Sequence, residues 1–301
     1  MISFIIPSYN SANTIKRAIE SILNQNVNIR YEIIVVDDGS SDNTEEVLKV
    51  YENNEKVKFY KKSNSGVADT RNYGVSKAAG DYIIFVDSDD YISENLLNDI
   101  EPYLLQNIEL IKWNPIFVDE NKNEILKPAS VAFEKVTGEQ GFNILFGSDN
   151  LIDCLWNYAI KKELIMEFPT GTYHEDFATM PLIILKAKSF VSIDKREYYY
   201  VQSNNSIMRN KDYDKTRRKL NDKLNHFDNL IKKSNEMSIQ KQTKENFAIY
   251  ATNSMLAVVK DLDEKEKKYY TSELKRRKIS KYIKARNIKQ IIKKIILSFK
   301  Y

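Results

Sequence analysis

Over the first hundred residues, short apolar runs alternate with polar, helix-patterned stretches. Ser3–Ile6, Tyr31–Val36, Val57–Tyr60 and Tyr82–Val86 are built of β-formers. The second and fourth runs show no polar alternation, which is how a strand covered on both faces of a parallel sheet reads. Between the runs the period changes to that of a helix. Ile15, Ala18, Ile19, Ile22 and Leu23 share one face behind an N-cap at Ser11 or Asn13, and Val47, Leu48 and Tyr51 mark a helix entered beside Asp42 and Glu45. A third helix is predicted from about Val67 to Ala78. Strand, helix and strand in this order predict a parallel sheet wound in right-handed βαβ units.

Each predicted strand stops in polar residues. Pro7-Ser8-Tyr9-Asn10 follows the first, Asp37-Asp38-Gly39-Ser40-Ser41-Asp42 the second, Lys61 to Gly66 the third and Asp87-Ser88-Asp89-Asp90 the fourth. Ligands bind at the carboxyl ends of such strands. One crevice is therefore expected to collect Ser8, Tyr9, Asp38, Asn64, Arg71, Asp87 and Asp89. Asp87 and Asp89, one residue apart on a loop leaving a strand, can share a hard divalent ion, Mg²⁺ or Mn²⁺. The same run also suits a solvated turn. Neither GxGxxG nor GxxxxGK[ST] is present, so metal and side chains rather than a glycine-rich cradle would hold a phosphate.

Further along, Ser93 caps a helix bearing Leu96, Leu97, Ile100 and Leu104, Ile108–Val118 reads as a strand, and Thr137 with Gln140 forms a capping box. A Gly-led loop from Gly171 delivers His174, Glu175 and Asp176 just before an apolar helical stretch, Phe177–Leu185. Acids at a helix start are also favoured by the dipole alone. From about Asp212 the pattern is helical, with Leu220, Leu224, Phe227 and Ile231 in one register and Phe247, Tyr250, Met255 and Val258 in another. The expected organisation is one α/β domain over 1–210, in two parts (1–106 and 107–210), then a helical region over 211–301.

Composition narrows the class. With 42% hydrophobic and 29% charged residues the chain reads as an ordinary globular protein. One cysteine excludes an internal disulfide framework, and two histidines without Cys partners exclude a common zinc site. The N-terminus has no basic segment and its apolar run breaks at Pro7, so no signal peptide and a cytoplasmic location are expected. The formal charge is +4; Lys275–Tyr301 holds eleven Lys or Arg and no acid, so the rest of the chain carries −7. In that tail Ile288, Ile291, Ile292, Ile295 and Phe299 share one face and Lys289, Lys293 and Lys300 the other. This suits contact with an anionic membrane, or a helix packed on the body with solvated lysines. Nucleic acid is not an expected partner, since aromatic interleaving is sparse and the rest of the chain is acidic.

The motifs Ile5-Ile6-Pro7-Ser8-Tyr9-Asn10, Val35-Val36-Asp37-Asp38-Gly39-Ser40-Ser41-Asp42, Asn64-Ser65-Gly66 with Arg71-Asn72, and Asp87-Ser88-Asp89 resemble, in order and spacing, those of glycosyltransferase family 2. The resemblance implies an α/β GT-A fold, Rossmann-like with a mostly parallel sheet flanked by helices, and a helical C-terminal extension. It implies an inverting, metal-dependent enzyme that moves a sugar from a UDP-sugar to a hydroxyl of a glycan or lipid-linked glycan, as in cell-surface polysaccharide synthesis. By position, Pro7, Ser8 and Tyr9 would lie against the nucleotide, Asp38 would accept from uracil N3–H, and Asn64 and Arg71 would line base and diphosphate. Asp87 would reach the ribose with Ser88 beside it, and Asp89, with Asp87, would hold Mn²⁺ or Mg²⁺.

Leu155-Trp156-Asn157 followed by Lys161 resembles the family segment bordering the acceptor, where Trp156, Asn157 and His174 would contact the sugar; buried packing is the other use of such a Trp. Glu175-Asp176 resembles the family's acidic pair, with Asp176 as catalytic base and Glu175 beside it. Tyr198-Tyr199-Tyr200 and Asn204–Arg209 resemble a loop over the diphosphate, with Val201 and Gln202 where an Arg is usual and Arg209 as substitute. Two other classes compete: an inactive GT-A scaffold, and a sugar nucleotidyltransferase, which would need a basic glycine-rich loop that Ser3–Asn13 does not offer.

Overall fold

β1 (Ile2–Ser8) and β2 (Tyr31–Asp37) are buried at every position, as unbroken apolar runs require when both faces of a sheet are covered. The computed structural model describes residues 1–150, 152–202 and 213–283. After β1 come α1 (Ile15–Leu23), β2, α2 (Thr44–Leu48), β3 (Val57–Lys61), α3 (Val67–Lys77) and β4 (Tyr82–Phe85). Then follow β5 (Tyr91–Ile92), α4 (Leu96–Leu105), β6 (Leu110–Val118), β7 (Glu124–Leu126), β8 (Phe133–Val136) and α5 (Gly138–Gly147). β9 (Tyr158–Lys161), α6 (Glu175–Lys186) and β10 (Phe190–Val201) complete the first of two compact units, Met1–Asn210.

The ten strands form one sheet in the order β3-β2-β1-β4-β9-β6-β10-β5, with β7 on β6 and β8 on β10. The longest ladders, β1–β2 and β6–β10, are parallel, as are β1–β4 and β2–β3. β9 runs antiparallel to both of its neighbours, β4 and β6, and joins the two halves of the unit into one sheet. Helix α3 lies close on the sheet because Gly74 has no side chain: a Cβ there would fall 2.5 Å from Ile5 Cγ2. The expected capping box at Thr137 and Gln140 is present and starts α5.

One apolar cluster runs through Phe4, Ile33, Ile84, Trp113, Trp156 and Tyr198, each such side chain contributing roughly 1.5–3 kcal/mol by burial. Lys112 of β6 is a strongly polar exception. It is fully buried and its ammonium reaches a single acceptor, the Trp113 carbonyl at 3.2 Å, so burial pulls its pKa down to about 8.

The second unit, Lys211–Tyr301, holds α7 (Tyr213–Glu236), α8 (Lys241–Ala257) and α9 (Glu264–Arg276). α7 buries Leu220, Leu224, Phe227 and Leu230, so Leu230 rather than the expected Ile231 completes its apolar face. Phe247, Ala251 and Met255 of α8 and Tyr270 and Leu274 of α9 are buried as well. Among the described residues no helix is long and apolar enough to cross a membrane. The amphipathic segment at 288–299 and the loop at 204–209 lie outside the described residues.

Candidate active site

The carboxyl ends of β1, β2 and β4 lie side by side, and the loops leaving them are laced together. Asn10, at φ 50°, takes a hydrogen bond from the Ser41 amide at 2.8 Å and donates its own amide to Ser40 Oγ at 2.8 Å. Ser8 is buried with its hydroxyl 2.5 Å from Ser11 Oγ. Tyr9 next to it is 49% exposed, so about half of an aromatic side chain stands open beside these loops.

Of the acids after β2, Asp37 accepts from the Ser40 amide, and Asp42 accepts from the Ala12 amide at 3.1 Å and from the Thr44 amide at 3.0 Å. Both shape the loops. Asp38 is buried and receives the Ser65 amide and the Lys62 ammonium on Oδ1, at 2.9 and 2.5 Å, and the Gly66 amide on Oδ2 at 2.9 Å. It thereby fixes the entry to α3, where Gly66 adopts φ 94°. Each carboxylate oxygen offers about two acceptor positions, so Oδ2 keeps one. Lys62, which the sequence did not single out, also pairs with Asp69 at 3.0 Å. Asn64 is exposed on the loop that these bonds hold.

The four residues after β4 divide sharply. Asp90 is buried, accepting from the Tyr198 hydroxyl at 2.8 Å and the Val201 amide at 2.7 Å, and burial followed by the charges of Asp89 and Asp87 raises its pKa. The same Tyr198 oxygen accepts the Asp87 amide at 3.1 Å. Asp89 alone is exposed, with Ser88 half-buried before it. Desolvation in the cleft and then the charge of Asp87 push the Asp89 pKa up, and the Arg17 guanidinium donates to its main-chain carbonyl.

Arg71 was expected to line the base and diphosphate. It is buried, with one terminal nitrogen on Asp87 at 2.8 Å and the other on Glu175, and its guanidinium lies over the Phe85 ring. Both forks are occupied by protein. Glu175, expected within the catalytic pair, is correspondingly a buried partner of Arg71 rather than an open carboxylate.

Asp176 follows it in the first turn of α6. The turn is made by His174, at φ 64°, a left-handed conformation that reverses the chain just before the helix. Asp176 is half-buried, takes the Phe177 amide at 2.7 Å, and has its pKa pushed up to about 8, first by burial and then by the charges of Glu175 and Asp153.

Trp156 does not present an open face. It is 8% exposed and stacks on Tyr198, centroids 4.5 Å apart, with Tyr200 at 5.7 Å. Asn157 is fully buried, and neither polar atom of its amide meets a hydrogen-bond partner. For Trp156 the buried packing that the sequence also allowed is what the ring shows, against Tyr198 and Tyr200.

A family model described as Glycosyl transferase family 2 matches residues 3–162. The glycosyltransferase GlyG of Streptococcus pneumoniae is 30% identical over 222 residues, 69% of this chain and 73% of that protein. The minor teichoic acid biosynthesis protein GgaB of Bacillus subtilis is 31% identical over 217 residues, and this chain spans only 22% of its length. The solved structure of S. aureus TarS 1–349 in complex with UDP superposes with a TM-score of 0.75 at 20% identity, covering 98% of this chain and 88% of that one. The matched span runs through every strand end described above, and the chain belongs to glycosyltransferase family 2: it is a glycosyltransferase with a GT-A fold.

Proposed function

We propose that this glycosyltransferase moves a sugar from a UDP-sugar to a hydroxyl of a glycan acceptor, with inversion and with a divalent ion at Asp89. The observation that carries the reading is the placement of Asp176. Its carboxyl, with a pKa near 8, begins a helix whose first residue is tied through Arg71 to Asp87 of the donor-side loop. A base poised near neutral pH is thereby kept beside a cluster of acids suited to a diphosphate and its cation.

The donor set fits a hard cation. Asp89 and Asp87 offer oxygen only, and burial followed by the charge of Asp87 disfavours ionisation of Asp89, as expected of an acid awaiting a positive ligand. Mn²⁺ or Mg²⁺ held there would neutralise charge on the departing UDP. Tyr9 and Pro7 would form the apolar wall for the base, and the remaining acceptor position of Asp38 Oδ2 would take uracil N3–H. Asp176 would withdraw the proton from the acceptor hydroxyl as its oxygen attacks the anomeric carbon. The likeness to GgaB, named for minor teichoic acid biosynthesis, and to TarS, solved with UDP-GlcNAc, supports a UDP-sugar donor and a surface-polymer acceptor. The basic tail would hold the enzyme at the cytoplasmic face of an anionic membrane, where a lipid-linked acceptor is presented.

The test is UDP release from a panel of UDP-sugars with and without Mn²⁺. Asp89→Ala should abolish metal-dependent turnover, and Asp176→Asn should lower it by ~10² to 10⁴ while UDP still binds. Release of pyrophosphate instead of UDP, or full turnover in Asp176→Asn, would overturn the assignment.

A further inference from the structure

Two consecutive residues of α3 reach across the sheet to the segment that delivers the base. Arg71 grips Glu175, the residue before Asp176. Asn72 uses both ends of its amide on one residue of the same segment: Nδ2 donates to the Phe168 carbonyl at 2.9 Å, and Oδ1 accepts the Phe168 amide at 2.9 Å. A side-chain amide thus stands in for a paired strand, satisfying both backbone groups of a residue in irregular chain. The Phe168 ring is fully buried and packs edge-on against Phe85, centroids 5.6 Å apart. α3 itself is seated by the close approach at Gly74.

We propose that Arg71 and Asn72 are positioning residues that clamp the segment 168–176, so that the Asp176 carboxylate is held in register with the donor-side acids. The proposal rests on the reading of Asp176 as the base. Both side chains are engaged by protein: Arg71 is buried with each terminal nitrogen on a carboxylate, while Asn72 has both amide atoms on Phe168. Their effect reaches the reaction through geometry, and a misplacement of about 1 Å in a reacting group can lower a rate ~10²-fold.

The clamp makes a prediction that a merely stabilising contact does not. Asn72→Asp keeps the shape but removes the donor to the Phe168 carbonyl, and Arg71→Lys keeps the charge but cannot fork between two carboxylates. The full chain is assayed with the UDP-sugar that the wild type turns over, and UDP binding is measured by calorimetry. Asn72→Asp should lower kcat roughly 10- to 100-fold with the UDP Kd unchanged within about twofold. In an Asp176→Asn background the same substitution should change kcat by less than about twofold, because the group it positions is gone.

Equal losses in both backgrounds, or a UDP Kd that weakens in step with kcat, would overturn the clamp while leaving the base in place. Wild-type turnover in Asp176→Asn alone would instead remove the base reading and the clamp with it. Should Asn72→Asp fail to fold, Arg71→Lys in the two backgrounds makes the same comparison.

Discussion

Lys112 offers a sharp test of how this fold balances charge against burial. The lysine is fully buried, its ammonium meets one carbonyl, and its pKa is lowered from 10.5 to about 8. Carrying that charge in the folded chain therefore costs about 3 kcal/mol. The sign follows from proton counts. Between pH 8 and 10.5 the unfolded chain keeps a proton that the folded chain has lost, so stability rises with pH; below 8 both states are charged and the penalty is constant.

Lys112→Met keeps the length and apolar stem and removes the penalty, at the loss of one hydrogen bond of about 1 kcal/mol. The variant should be more stable than the wild type by about 2 kcal/mol at pH 7, and the gain should shrink by about 2 kcal/mol at pH 9.5, to near zero. Urea unfolding followed through Trp113 and Trp156, both in the first unit, reads the difference. A variant less stable at pH 7, or a gain equal at both pH values, would refute the reasoning and point to a favourable role for the buried charge.

Two further outcomes are expected. With the Asp176 pKa near 8, a base that acts only when ionised gives transfer that rises about tenfold per pH unit below 8 and levels above it; Asp176→Asn should flatten that limb, and a wild-type profile already flat below pH 8 would contradict the base. At Gly138 an added Cβ would meet the Ile184 and Ala187 carbonyl oxygens at 1.8 and 2.8 Å. Both are backbone, so Gly138→Ala should lower stability by ~1–3 kcal/mol, and an unchanged urea midpoint would show that α5 and α6 can separate at little cost.

How much of this was legible in the sequence depends on the range of the interaction. The buried strands announced themselves because residues such as Ile33 to Val36 pack on both faces, a property that each apolar run carries locally. Their polar ends marked the cleft for the same reason. What the sequence did not show is pairing at long separation. β9 joins Ile83 to Ile160 and Ile111 to Ala159, and nothing near residue 160 declares an antiparallel strand set between two parallel groups. Arg71 reads as a ligand of base and diphosphate, and nothing near it declares the pairing with Glu175, 104 residues away. Trp156 reads as a sugar platform until Tyr198 stacks on it. At α7 a helix carrying both Leu230 and Ile231 could turn either inward, and packing chose the first.

The acid clusters carry the same lesson into the chemistry. After β2 and again after β4 the sequence places three carboxylates within six residues, which invites the assignment of every one to substrate or metal. The fold consumes most of them. Asp37 and Asp42 tie loops, Asp38 keeps one acceptor position, Asp87 is held by Arg71, and Asp90 is sealed on Tyr198 and the Val201 amide. Of the acids after β4 only Asp89 is left exposed. An exposed loop carboxylate is ordinarily a weak ligand, because ordering it for a cation is entropically costly. Here its two acidic neighbours are pinned by buried partners, so the loop is ordered before any ligand arrives and the charge of Asp87 already disfavours a bare carboxylate at Asp89. On the proposed reading, the pinned neighbours would give Asp89, with Asp87 beside it, a loop already ordered for a cation.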